Sequence, residues 1–234
     1  MESSKVISTI LSLYSKWGAS DYIGESITQI EHALQCAHQA SQDTRLLGYD
    51  NFIRNCVIVA ALLHDIGHLI GLEHGDMEMR ISSGIGIRGR ACDECDSCDE
   101  CIELKTNSKS VSLGIVGHEG IGAAYLKTLG MPRLVCDLVA GHVPAKRYLC
   151  TTRAGYYDAL SDASKQTMLL QGGMMKDEET REFQSSVMPE LKVFLREYND
   201  KAKKTELNLA GLGSGMLEYK THLETALLHG KYFA

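Results

Sequence analysis

His64 and Asp65 stand side by side where an apolar helical run, Val57-Ile58-Val59-Ala60-Ala61-Leu62-Leu63, stops. A neighbouring imidazole and carboxylate at the end of a buried helix are costly to leave dry and unpaired, and a cation that both coordinate removes that cost. His32, His118 and His142 each fall inside their own apolar, helix-patterned segment, where a lone imidazole needs a hydrogen-bonding partner. A late carboxylate completes the set. Imidazole nitrogens with carboxylates and no thiolate suit iron, manganese or zinc, whereas oxygen alone suits magnesium. Six such ligands exceed what one tetrahedral ion takes, so two metals sharing Asp65 as a bridge fit the arithmetic. His68 follows one helical turn after His64 on the same face, and with the ligand places filled it is expected beside the metals, facing the substrate. The plainer alternative is a group of satisfied core histidines with the His-Asp pair capping a helix, and four such histidines together with the dyad weigh against it.

Positioning these groups requires helices from distant parts of the chain. Residues 3–17 carry Val6, Ile10, Leu11, Leu13 and Tyr14 at amphipathic spacing. After a break through Gly24, a helix is predicted from Glu25 onward, with His32 beside its apolar stripe. Asn51 is the predicted N-cap of the helix that ends at His64. Regularity returns at Gly117-His118-Glu119 and stops at Gly130 and Pro132; Leu134 to Gly141 reads as a short buried helix leading to His142. Further helical segments are predicted near 153–160, 161–171, 177–185, 188–204 and 215–228. With three prolines in the whole sequence, the expected fold class is all-α, a helical bundle.

A length of 234 residues with 44% hydrophobic content supports one substantial core, so the expectation is a single domain over 1–234. A net charge of −6 argues against a general nucleic-acid binder, which needs a basic stripe to displace counterions. No stretch approaches the roughly 20 apolar residues of a membrane span, and no leader pattern opens the chain, so a cytoplasmic protein with no membrane or obligate protein partner is expected.

Of eight cysteines, Cys36, Cys56, Cys136 and Cys150 lie among helical residues and read as small hydrophobes. The other four, Cys92, Cys95, Cys98 and Cys101, form CxxCxxCxxC in a glycine-rich, charged stretch from 69 to 113 that has no sustained period. This stretch is longer than ordinary loops and reads as an inserted loop. CxxC spacing lets thiolates share an ion, so zinc or an iron–sulfur cluster is chemically possible there; the blander reading is a redox-labile surface loop.

The set His32…His64-Asp65…late Asp is the signature of the HD superfamily. Four longer segments extend the match: Asp21-Tyr22-Ile23-Gly24-Glu25, Gln29-Ile30-Glu31-His32-Ala33-Leu34-Gln35-Cys36-Ala37, Gly141-His142-Val143-Pro144-Ala145-Lys146-Arg147-Tyr148-Leu149 and Leu160-Ser161-Asp162-Ala163-Ser164. Together these resemble the PhnZ-type organophosphonate oxygenases, mixed-valent di-iron relatives of myo-inositol oxygenase. The likeness covers residues 14–67 and 114–209, either side of the insert.

The resemblance implies two Fe ions in the Fe(II)/Fe(III) state, one held by His32, His64 and Asp65, with Asp65 bridging to a second held by His118 and His142. It implies a lid in which Tyr22 reaches the second iron and Glu25 meets the substrate's ammonium group; the alternative for these two residues is an ordinary helix start. It places Lys146, Ser164, Thr167 and Arg196 near the phosphonate, and His68 beside the substrate. The family's last iron ligand is an aspartate following an aromatic residue. An ungapped match puts Asn199 there, after Tyr198, with Asp200 one step later; a carboxylate neutralises iron better than an amide, so Asp200 is the expected ligand.

The implied reaction is O₂-dependent cleavage of the carbon–phosphorus bond of a 1-hydroxy-2-aminoethylphosphonate-like substrate, giving glycine or a methylated glycine and phosphate. The same ligands could instead carry Mn, Mg or Zn in a phosphohydrolase acting on a nucleotide or phosphoester. A metal-binding regulator sensing redox or zinc through the cysteine insert is a third, non-enzymatic reading.

Overall fold

The computed structural model describes residues 2–22, 25–74, 78–82, 110–205 and 215–230. In chain order the helices are α1 (Ser3–Trp17), α2 (Gln29–Ser41), α3 (Asn51–Leu63), α4 (Ile66–His74), α5 (His118–Thr128) and α6 (Arg133–Thr152). They continue as α7 (Tyr156–Ala159), α8 (Asp162–Leu170), α9 (Asp177–Ser185), α10 (Pro189–Lys201) and α11 (Lys220–Gly230). Among the described residues the protein is all-α apart from strands β1 (Glu78–Ser82) and β2 (Ser110–Ile115), which pair antiparallel.

Helix α3 is the axis. Every residue from Asn55 to Leu63 is buried, and a helix apolar on all sides belongs in a core. It packs against α2, α6, α10 and α11. Helix α1 lies across α4 and α11, tied to the end of α3 by the Tyr14 hydroxyl, which donates to the Leu62 carbonyl at 2.9 Å. Helix α5 sits between α4 and α6. Among the described residues no single helix is long and apolar enough to cross a membrane.

Several predicted boundaries move for local reasons. Helix α2 begins at Gln29, not Glu25, because Thr28 and Glu31 form a reciprocal capping box: Glu31 accepts from the Thr28 N–H at 2.7 Å, and Thr28 Oγ1 accepts from the Glu31 N–H at 3.3 Å. Asp50, not Asn51, caps α3, its carboxylate accepting from the Ile53 N–H at 2.8 Å. The predicted short helix before His142 is part of the unbroken α6, which runs through Pro144; that proline forfeits one N–H without ending the helix.

The insert predicted from Leu69 begins later, since α4 continues to His74. Gly67 and Gly71 interrupt the helical pattern for tertiary reasons. A Cβ on Gly67 would lie 1.9 Å from the His118 carbonyl oxygen, and one on Gly71 would lie 2.5 Å from the Ile115 side chain. Cys92, Cys95, Cys98 and Cys101 fall outside the described residues. Cys36, Cys56, Cys136 and Cys150 are buried free thiols, as expected.

Candidate metal centre and anion chamber

His64 and Asp65 occupy the break between α3 and α4, whose axes differ by 41°. The break turns both side chains inward instead of along one helix face. His32 comes from α2, His118 from the first position of α5, and His142 from the middle of α6. The contact of Gly67 with the His118 backbone brings α5 against the dyad.

The four imidazoles form two pairs. His32 Nε2 and His64 Nε2 are 3.2 Å apart, and His118 Nε2 and His142 Nε2 are 3.0 Å apart. Asp65 lies between them. Its Oδ2 is 3.6 Å from His32 Nε2 and 3.1 Å from His64 Nε2, while its Oδ1 is 3.4 Å from both His118 Nε2 and His142 Nε2.

Backbone carbonyls fix the ring tautomers. His32 Nδ1 donates to Ala202 O at 2.8 Å, His64 Nδ1 to Ala61 O at 2.9 Å, and His142 Nδ1 to Val139 O at 2.7 Å. The Nε2 atoms of His32, His64 and His142 are therefore lone pairs when these rings are neutral, whereas His118 Nδ1 has no hydrogen-bond partner among the described residues. Protonation does not relieve the conflict near neutral pH: burial, with the neighbouring imidazoles, lowers the His32 pKa to about 3 and burial lowers that of His142 to about 4. Burial alone would raise the Asp65 pKa, but the surrounding imidazoles outweigh it and hold the carboxyl well below the usual range. Asp65 Oδ2 has no hydrogen-bond partner among the described residues. Facing lone pairs around a dry carboxylate fit metal cations, and nitrogens bound about 2.1 Å from one ion sit roughly 3.0–3.4 Å apart.

Asn199, not Asp200, faces this cluster. Asn199 is 3% exposed and its Nδ2 donates to His64 Nε2 at 2.9 Å; turned over, the same amide presents Oδ1. The expectation for Asp200 is corrected: its carboxylate accepts from the Tyr156 hydroxyl at 2.5 Å and pairs with Arg196. Neighbouring helix positions diverge by about 100°, so the one-residue difference sends the carboxylate to the guanidinium and the amide to the histidines. Cys36, one turn beyond His32, puts Sγ 3.5 Å from His32 Nε2; burial pushes the thiol pKa well above its usual value.

Beside the cluster is a cavity of about 40 Å³, room for a few waters or a small anion. Asp65, His68, His118, His142 and Asn199 form its metal-facing side, and Lys146, Ser164, Thr167, Gln171, Arg196 and Lys203 form much of the rest. Lys146 is 2% exposed, and its Nζ donates to Thr167 Oγ1 at 2.9 Å. Burial, reinforced by Arg196, depresses its pKa well below normal, so a bound anion is what would restore its charge. His68 Nδ1 accepts from the Ile115 N–H at 2.9 Å, which leaves the proton on Nε2. That Nε2 is buried with no hydrogen-bond partner among the described residues and belongs to a ring lining the cavity, stacked on His118 at 3.9 Å.

The two expected lid residues separate. Tyr22 is buried, stacks on His32 at 3.9 Å between ring centroids, and lines the cavity; burial and the Asp65 charge push its pKa well above normal. Glu25 does not line the cavity. It accepts from Lys203 Nζ at 2.8 Å and from the Ser161 hydroxyl at 2.8 Å. Sequence reasoning missed Lys203, which looks like solvated surface in Asp200-Lys201-Ala202-Lys203-Lys204, and Gln171, whose buried Oε1 has no hydrogen-bond partner among the described residues.

Converging imidazoles around a buried carboxylate, next to a chamber walled by cations, define a metal-dependent enzyme for a small anion. No family model matches the chain. It is 32% identical to a protein named hydroxymethylphosphonate dioxygenase from Gimesia maris, over 95% of this chain and 89% of that one. It is also 32% identical to [1-hydroxy-2-(trimethylamino)ethyl]phosphonate dioxygenase (glycine-betaine-forming) from Leisingera caerulea, over 85% of this chain and 80% of that one. A third relative, uncharacterized protein L432 of Acanthamoeba polyphaga mimivirus, is 35% identical over 84% of this chain and 72% of its own length. The chain belongs to the PhnZ-type family of phosphonate-cleaving oxygenases and is an oxygenase acting on an organophosphonate.

Proposed function

We propose that the protein holds two irons and uses O₂ to cleave the carbon–phosphorus bond of a small 1-hydroxyphosphonate, giving a carboxylate and phosphate. The observation that carries this reading is the split of Asp65, one oxygen toward His32 and His64 and the other toward His118 and His142. On this reading the first pair, with Asn199 alongside, holds one iron, the second pair holds the other, and Asp65 is shared. When bound, the irons supply O₂ chemistry and acidify a coordinated hydroxyl. The overall change is balanced: C1 loses four electrons, O₂ gains four, and no external reductant is needed.

The protein's own groups bind and orient. Lys146 and Arg196 offset the phosphonate dianion, Lys146 as a point charge and Arg196 through a planar fork held by Asp200. The Thr167 and Ser164 hydroxyls flank the same wall. His68 offers its Nε2–H to a substrate oxygen, and Tyr22 covers the metal side. The amine-bearing form of the substrate, oxidised to glycine or a methylated glycine, requires Glu25 to be free for an ammonium group.

Protein purified anaerobically should carry about two irons per chain, show a mixed-valent EPR signal perturbed by hydroxyphosphonates, and release phosphate in step with O₂ uptake. Phosphate release that persists without O₂ would replace this reading with a metal-dependent hydrolase.

A further inference from the structure

Lys203 stands where a recognition site for the substrate's substituent would be. It follows Ala202, whose carbonyl holds the His32 ring, so its backbone is anchored at the metal cluster. Its Nζ donates to Glu25 Oε1 at 2.8 Å, Ser161 Oγ at 2.9 Å and Ser164 Oγ at 3.0 Å, which occupies all three of its protons. Its side chain is 16% exposed and that of Glu25 is 19%, so the pair is only partly screened by water. Lys203 lines the cavity and Glu25 does not. The lysine therefore comes between the carboxylate and the space a ligand would fill.

The charges around the chamber follow from these contacts. Among the described residues Arg196 is paired with Asp200, Lys203 with Glu25, and Lys146 with no carboxylate, its one hydrogen bond being to Thr167. One unpaired cation, two paired ones and the metal centre suit a dianion. Among the described residues Asp65 is the one carboxylate that lines the chamber, and the phosphonate reading gives it to the metals, so none is left for a cation at the other end of the ligand. An ammonium group entering there would meet Lys203 first and would have to open its ion pair with Glu25.

We infer that Lys203 is a specificity-determining residue that masks Glu25, so that the preferred substrates are short 1-hydroxyphosphonates whose substituent on C1 is hydrogen or an uncharged group, with ammonium-bearing ones selected against. This inference rests on the phosphonate reading of the chamber. It departs from the sequence expectation that Glu25 receives an ammonium.

Binding to the iron-loaded protein under anaerobic conditions, measured by calorimetry with ethylphosphonate and 2-aminoethylphosphonate, tests it without turnover. Wild-type protein should bind ethylphosphonate more tightly by about tenfold or more. Lys203→Met should free Glu25 and shift the affinity ratio toward the amine by at least about tenfold, and adding Glu25→Gln should take that gain away. Lys203→Gln serves if the methionine variant does not fold. Wild-type preference for the amine, or an unchanged ratio in the Lys203 variant while both ligands bind, overturns the inference and leaves the phosphonate reading intact. Failure of both ligands to bind wild-type protein overturns the two together.

Discussion

His32 and His64 point their Nε2 lone pairs at each other across 3.2 Å, each ring having committed its Nδ1 proton to a main-chain carbonyl, of Ala202 and Ala61 respectively. Neither ring can rotate away without breaking that bond, and burial pushes the His32 pKa down to about 3. The geometry is built for a cation, and it makes the metal-free protein sensitive to acid.

The metal-free protein should lose stability as pH falls below about 6.5. Burial pushes His32 down to about 3 and His142 down to about 4 in the folded state, both below the ordinary histidine value of about 6.5. Between those values the unfolded chain binds protons that the folded chain refuses, so the unfolding free energy rises with pH across this window and levels off above it. Denaturant melts of chelated protein from pH 4 to 8 should trace that slope. A flat profile would mean the rings are solvated or already protonated.

Asn199 and Asp200 should fail differently. Asp200→Asn removes the charge that holds Arg196 and is expected to weaken phosphonate binding about tenfold while leaving metal content intact. Asn199→Asp adds a carboxylate against His64 and should slow metal loss to a chelator. Metal analysis after timed chelation distinguishes them, and loss of metal in Asp200→Asn would restore that residue as a ligand.

Lys146→Met should stabilise the unliganded protein by about 1 kcal/mol, because it replaces a buried amine that has one hydroxyl partner with a side chain of similar volume. The same change should raise the KM for the phosphonate at least about tenfold. Thermal melts and initial rates report the two effects separately, and a destabilised variant with unchanged KM would make Lys146 structural.

Gly67→Ala should destabilise the fold by about 1–3 kcal/mol and lower metal occupancy in the same protein. The new Cβ would fall 1.9 Å from the His118 carbonyl oxygen and 2.7 Å from its carbonyl carbon. Backbone cannot yield as a flexible side chain does, so α5 must move and carry His118 with it. Wild-type stability and metal content would show that α4 and α5 separate at little cost.

The His/Asp cluster was legible in the sequence because histidines in apolar helical runs are unusual, and the structure brings His32, His64, Asp65, His118 and His142 together. What was not legible depends on rotation and close approach. Asn199 and Asp200 differ by one step of helix rotation, and only coordinates show which one meets His64. Lys203 sits in a charged run like any solvent-facing segment, its role set by Ser161, Ser164 and Glu25 from elsewhere in the chain. Helix α4 was hidden by Gly67 and Gly71, which are glycines because His118 and Ile115 press against them. Helix α6 was read only as far as Gly141, although it runs on through His142 and Pro144 to Thr152.

The main-chain amide of Ile115, at the end of β2, occupies His68 Nδ1. Amides do not titrate in the working range, and burial keeps this imidazole from taking a second proton. The chamber thus has a hydrogen-bond donor whose polarity is written by the backbone, constant across the acidities at which a carboxylic or ammonium donor would switch.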